Sequence, residues 1–261
     1  MLGLRRRLGD RLAEFLTKPR PGGASVPVEA VGDWTRWLRP CDVLLVEGSS
    51  RIATAIKYLT TSTWSHAALC IATDEDAPTL DEGRPATLVE ADVRDGVRAV
   101  APERYVGANV RICRPVALTE ADRRRVVAHV RAALGHRYDL RNVLDLARYL
   151  LPEPPVPARF RRRLLVLGSG EPTRAICSTL IARAFQEVRY PILPEPVAAG
   201  TTPRFRPRHH SFVTPRDFDL SPFFAVVKPT LEAGFDPRRF AWSEEAAASR
   251  GDPEGAGAGL L

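Results

Sequence analysis

Cys177 heads an apolar helical run, ICSTLIARAF, directly after the loop GSGEPTR (168–174). A sulfur at a helix start faces unpaired first-turn amides and the positive end of the peptide dipole, which favour thiolate over thiol. The same amides, that of Cys177 included, are ready donors for a developing oxyanion. Leu180, Ile181, Ala184, Phe185 and Val188 recur at helical spacing and are expected to anchor the helix in a core. Taken alone, the pattern fits equally a buried cysteine filling a gap between helix and sheet.

His66 follows the polar stretch TTSTWS and opens an apolar run. An imidazole at a strand end is a suitable general base, because its ordinary pKa lies near neutrality. The alternative is a surface histidine beside a tryptophan. Glu90 interrupts the apolar run TLVEA, where a carboxylate is costly to bury without a partner. If its strand neighbours that of His66, it can accept from the second imidazole nitrogen and complete a triad. An edge-strand Glu facing water is the competing reading, and Asp92, two residues on and on the same face, is the alternative third member. Tyr138 in GHRYDL and Arg174 ahead of Cys177 are weaker candidates for lining a cleft or holding an anion. Ser178 reads as a helix-start hydroxyl, and His209–His210 as surface loop.

These residues need elements to hold them. Cys41–Val46, Ser65–Thr73, Ala86–Ala91, Gly96–Pro102 and Val110–Pro115 read as strands. Ser49–Ser50 offers an N-cap for a helix over Arg51–Leu59. Thr119 caps a second helix from Glu120 to Leu134, with Val126, Val127, Val130 and Leu134 as its buried stripe and Gly135 as its stop. Further helices are expected over Leu140–Leu151 and Cys177–Val188, with a final strand at Phe223–Val227. Strands gather first and helices later, which predicts an α+β fold with an antiparallel sheet packed on helices.

Residues 1–33 are expected to form a basic amphipathic helix and a Pro/Gly linker, 34–240 the domain, and 241–261 a small, polar, glycine-rich tail. The chain has 261 residues, long enough to bury a core without staples. Its 38 Lys+Arg against 31 Asp+Glu give a net charge of +7. The arginine runs at 5–7, 123–125 and 159–163 carry no nucleic-acid motif, so no specific nucleic-acid partner is expected. Four cysteines at 41, 70, 113 and 177 form neither a metal motif nor a disulfide framework, and no metal or cofactor is expected. The N-terminus lacks the continuous apolar stretch of about 7–15 residues of a signal peptide. The expected location is cytoplasmic, with peripheral membrane contact through residues 1–18 as the alternative.

The order His, Glu, Cys, with strands first and the Cys helix last, resembles the circularly permuted papain-like enzymes, relatives of the NlpC/P60 peptidases, and among them the YiiX/YebB-like group. The resemblance rests on CDVLLVEGSSRIATAIKYLTTSTWSHAAL, TLVEADVRDGV, GHRYDL, ICSTLIARAF and HHSFVTPRDFDLSP, spanning about residues 40–228. It implies a permuted papain-like fold, with Cys177 as nucleophile, His66 as base and Glu90 as the orienting residue. It also implies a thiol hydrolase acting on a small peptide-like amide or related acyl bond. The acidic insertion 74–82 and the long Arg/Pro-rich segment before Cys177 depart from the pattern and bear on the substrate. The similar arrangement in lecithin:retinol acyltransferase-like proteins implies a lipid ester as the alternative substrate. A non-catalytic module with a papain-like cleft is the third reading.

Overall fold

The computed structural model describes residues 34–72, 85, 87–92, 95–136, 176–197 and 204–229. All belong to one compact unit, Met1–Pro229. Its centre is a six-stranded antiparallel sheet of β1 (Val43–Val46), β2 (His66–Cys70), β3 (Leu88–Asp92), β4 (Gly96–Val100), β5 (Val110–Pro115) and β8 (Phe224–Val227), in the order β4-β3-β2-β1-β5-β8. A separate pair, β6 (Glu195–Val197) and β7 (Arg204–Arg206), forms a two-stranded ladder. Position in the sheet explains composition. Central β1 reads VLLV and is buried at every residue, whereas edge strand β8 buries only its first and last residues.

Side chains alternate between two apolar layers. Val43, Leu45, Ala67, Leu69, Val89, Ala91 and Cys113 face one layer, and Leu44, Val46, Ala68, Cys70, Leu88 and Ile112 the other. The first layer is covered by α2 (Glu120–Ala132) and α3 (Ile176–Glu187), which pack on each other, α3 also lying on β2 and β3. Trp34 and Tyr105, from 3-10 turns at Trp34–Trp37 and Pro102–Tyr105, cover the second.

The local signals hold close to the expected bounds. Ser50 caps α1 (Arg51–Thr60) by accepting from the Ala53 amide, and Thr119 caps α2 by accepting from the Asp122 amide. α2 stops sooner than expected. It ends at Ala132, so Leu134 lies beyond the helix, 36% exposed, while Val126 and Val130 make the buried stripe. Gly135, at φ +80, carries the chain out of the turn. The β6–β7 ladder and the short helix α4 (Pro215–Leu220), closed by a Thr214–Asp217 capping box, were not anticipated. The expected helix over 140–151, the N-terminal helix, its linker and the tail lie outside the described residues. No helix among the described residues is long and apolar enough to cross a membrane.

Candidate active site

Cys177 is the second residue of α3 and is 5% exposed. The helix behind it is fixed through Leu180, Ile181, Ala184 and Phe185. Phe185 and Phe218 each meet Phe224 edge-on, at centroid separations of 5.2 and 5.5 Å. Ser178 donates to the Val213 carbonyl at 2.7 Å, so the hydroxyl beside the sulfur ties α3 to the approach to α4. This is a structural bond, in keeping with a helix-start role.

His66 is the first residue of β2. The chain before it is clamped from several sides. The Ser65 amide donates to the Val46 carbonyl, and its hydroxyl accepts from the Gly48 amide at 2.8 Å. Trp64, in the stretch that reads in sequence as a polar break, is buried, and its indole donates to Asp219 at 3.0 Å. Arg111 lies over the same indole, 5.0 Å from its centroid, and pairs with the same carboxylate. Strand register then selects the acid. Ala68 pairs with Glu90, so His66 and Glu90 stand diagonally on one side of the sheet, and His66 Nε2 meets Glu90 Oε2 at 2.7 Å. Asp92 sits on the same strand face but at its half-exposed end, 3.9 Å from Arg98. Glu90 is therefore the carboxylate that engages the imidazole.

Glu90 is almost wholly buried, its side chain 2% exposed, and it is fully partnered. Arg98 is its direct cross-strand neighbour and donates Nε to Oε1 at 2.9 Å, with Arg104 at 3.4 Å. The Tyr105 hydroxyl donates to Oε2 and also lies 3.1 Å from His66 Nε2. Burial pushes the Glu90 pKa up, but His66, Tyr105 and Arg98 outweigh it and hold the carboxyl at about 2. For His66, burial acts downward, and the charge and hydrogen bond of Cys177, followed by Glu90, lift it to about 10. Burial and the Glu90 charge together raise the Tyr105 phenol.

The structure therefore brings Cys177, His66 and Glu90 into one line of interaction. With Nε2 engaged by Glu90, Nδ1 is the nitrogen left for Cys177. Cys177 comes from the helical layer and His66 from the end of a strand, and they meet where β2 begins. Such an arrangement can serve chemically as a nucleophile, a base and a residue that fixes the base's tautomer.

The other cysteines play no part in it. Burial pushes Cys41 and Cys113 up to about 12, and the Cys70 thiol donates to the Ala72 carbonyl. His209 contacts Ser211 at 2.7 Å and stacks on His210, in a 3-10 turn remote in sequence from the site. Tyr138, Arg174 and the acidic insertion 74–82 lie outside the described residues. Among the described residues, no group of three or more His, Cys, Asp or Glu side chains is placed to hold a metal.

Three members of the site were missed in the sequence. Arg98 had a usable signal. The strands β3 and β4 follow one another closely in the sequence and pair antiparallel in a register that sets Glu90 opposite Arg98. Arg104 and Tyr105 had none, since a 3-10 turn after β4 brings them back over the sheet.

Neither a protein-family model nor a curated protein sequence matches the chain.

Proposed function

We propose that the protein is a cysteine-dependent hydrolase of permuted papain-like fold, cleaving an amide or related acyl bond through a thioester. The observation that carries this reading is His66 held between Cys177 and the buried, ionised Glu90. The order of the three residues along the chain, and the antiparallel sheet packed against the Cys-bearing helix, support it.

In the reaction, His66 takes the thiol proton of Cys177, and the sulfur attacks the substrate carbonyl carbon. Backbone amides at the start of α3 stabilise the oxyanion. As the tetrahedral intermediate collapses, the imidazolium donates its proton to the departing amine or alcohol and the acyl group stays on sulfur. His66 then takes a proton from water, the hydroxide adds to the thioester, and the C–S bond breaks to release the acid and restore Cys177. Glu90 keeps the Nε2 proton in place throughout, leaving Nδ1 to serve the sulfur.

The test is alkylation of Cys177 by iodoacetamide at pH 7, located by peptide mass mapping. A general base of this kind contributes about 10²–10⁴-fold, so His66→Ala is expected to slow labelling by at least about tenfold. Equal rates in the two proteins exclude a primed Cys–His pair. In a screen against peptide and ester substrates, Cys177→Ala is expected to remove turnover while preserving the fold.

A further inference from the structure

Beyond the C-terminal end of α3, at the opposite end of the helix from Cys177, lies a cavity of about 540 Å³. That is within the range of about 300–1,000 Å³ typical of small-molecule sites. Its walls are apolar: Ile192, Leu193, Pro194, Phe205, Val213 and Phe223 contribute to it. Phe205, on β7, is 59% exposed.

The polar side chains of the lining differ in one decisive respect. Gln186 donates to the Arg208 carbonyl, and the Tyr190 hydroxyl donates to the carbonyls of Val116 and Phe223. Arg208 is paired with the buried Asp217 at 3.4 Å and with Glu195 at 3.8 Å. All three are thus satisfied by the protein itself. Arg189 is exposed and has no acidic partner among the described residues, and no acid lines the cavity. Arg189 also has φ +55, the left-handed region that favours Gly or Asn at a helix end. An apolar chamber lined by a cation with no acidic partner among the described residues matches one ligand chemistry: a hydrocarbon body ending in a negative charge.

We infer that this cavity binds a free amphipathic carboxylate of the fatty-acid class, its chain among Ile192, Leu193 and Phe205 and its carboxylate on Arg189. Cys177 is not among its lining residues, and the inference does not depend on the hydrolase reading.

The experiment titrates the full chain with cis-parinaric acid, following its fluorescence, with dodecanoate and dodecanol as competitors. The expected result is saturable binding at one site, with dodecanoate competing about tenfold better than dodecanol. Arg189→Asn, which suits the backbone, should weaken binding about tenfold, and Leu193→Trp, which fills the chamber, should abolish it. Cys177→Ala should bind as the wild type does. Circular dichroism checks that each variant is folded, and Leu193→Ser serves in place of the Trp variant if that one is not. Absence of saturable binding, equal competition by the alcohol, or unchanged affinity in folded Arg189→Asn and Leu193 variants overturns the inference. So does binding that appears only with phosphatidylglycerol vesicles, which would assign the surface to a membrane.

Discussion

At the residue scale, the central fact is that Glu90 is a buried anion with four donor groups around it. A carboxylate held at about 2 by an imidazole, a phenol and the Arg98 guanidinium stays ionised across the whole physiological range. That fixed charge holds the neighbouring imidazole in a single orientation. Glu90→Gln keeps the shape and removes the charge, and is expected to slow Cys177 alkylation about tenfold or more. Tyr105 bridges the same two groups. Tyr105→Phe deletes one donor to Glu90 and is expected to slow alkylation severalfold. A wild-type rate would reduce Tyr105 to packing.

At the element scale, the site depends on how segments are fastened rather than on the triad alone. Gly48 links β1 to α1, and a Cβ there would lie 2.8 Å from the Ala53 Cβ and 2.9 Å from the Ser65 hydroxyl oxygen. Its amide also donates to that hydroxyl. Gly48→Ala must therefore push α1 or Ser65 aside, next to His66. Overpacking of this kind costs about 1–3 kcal/mol, and chemical denaturation measures it. The same variant should also slow alkylation, because Ser65 precedes the imidazole. α3 is anchored differently, through Phe185, which is fully buried in an aromatic cluster. Phe185→Ala is expected to destabilise the fold by about 3–5 kcal/mol, again by denaturation. A loss below about 1 kcal/mol would mean that α3 is not seated as described.

At the scale of the whole molecule, the coupled charges set how stability varies with pH. His66 is held at about 10 against an ordinary 6.5, so its contribution is complete below about 6.5 and fades as pH rises toward 10. Glu90 runs the other way. Held at about 2 against 4.5, it contributes fully above about 4.5, and that contribution is lost as pH falls toward 2. The Tm is expected to be highest between roughly pH 4.5 and 6.5 as far as this pair is concerned. His66→Gln should flatten the alkaline decline, and Glu90→Gln the acid one. Identical profiles in wild type and both variants would mean that the pair is not coupled to folding.

The sequence by itself determined what is local. Apolar runs marked β1, β2 and β5, caps at Ser50 and Thr119 marked α1 and α2, and helical spacing marked α3 with Cys177 at its head. These follow from hydrogen bonds and side-chain periods a few residues long. A costly carboxylate in TLVEA even hinted that Glu90 needed a partner. Only the tertiary structure decided which partner, because that depends on β2 and β3 pairing in the register that sets Ala68 against Glu90. A slip of one residue would turn Glu90 to the other face. Tertiary contacts likewise buried Trp64 against Asp219, 155 positions away, and folded Tyr105 back onto the imidazole. They also closed the chamber around Ile192 and Phe205 from the end of α3 and the segments that follow it. No period or cap encodes such contacts, because their energy appears only once distant segments share a core.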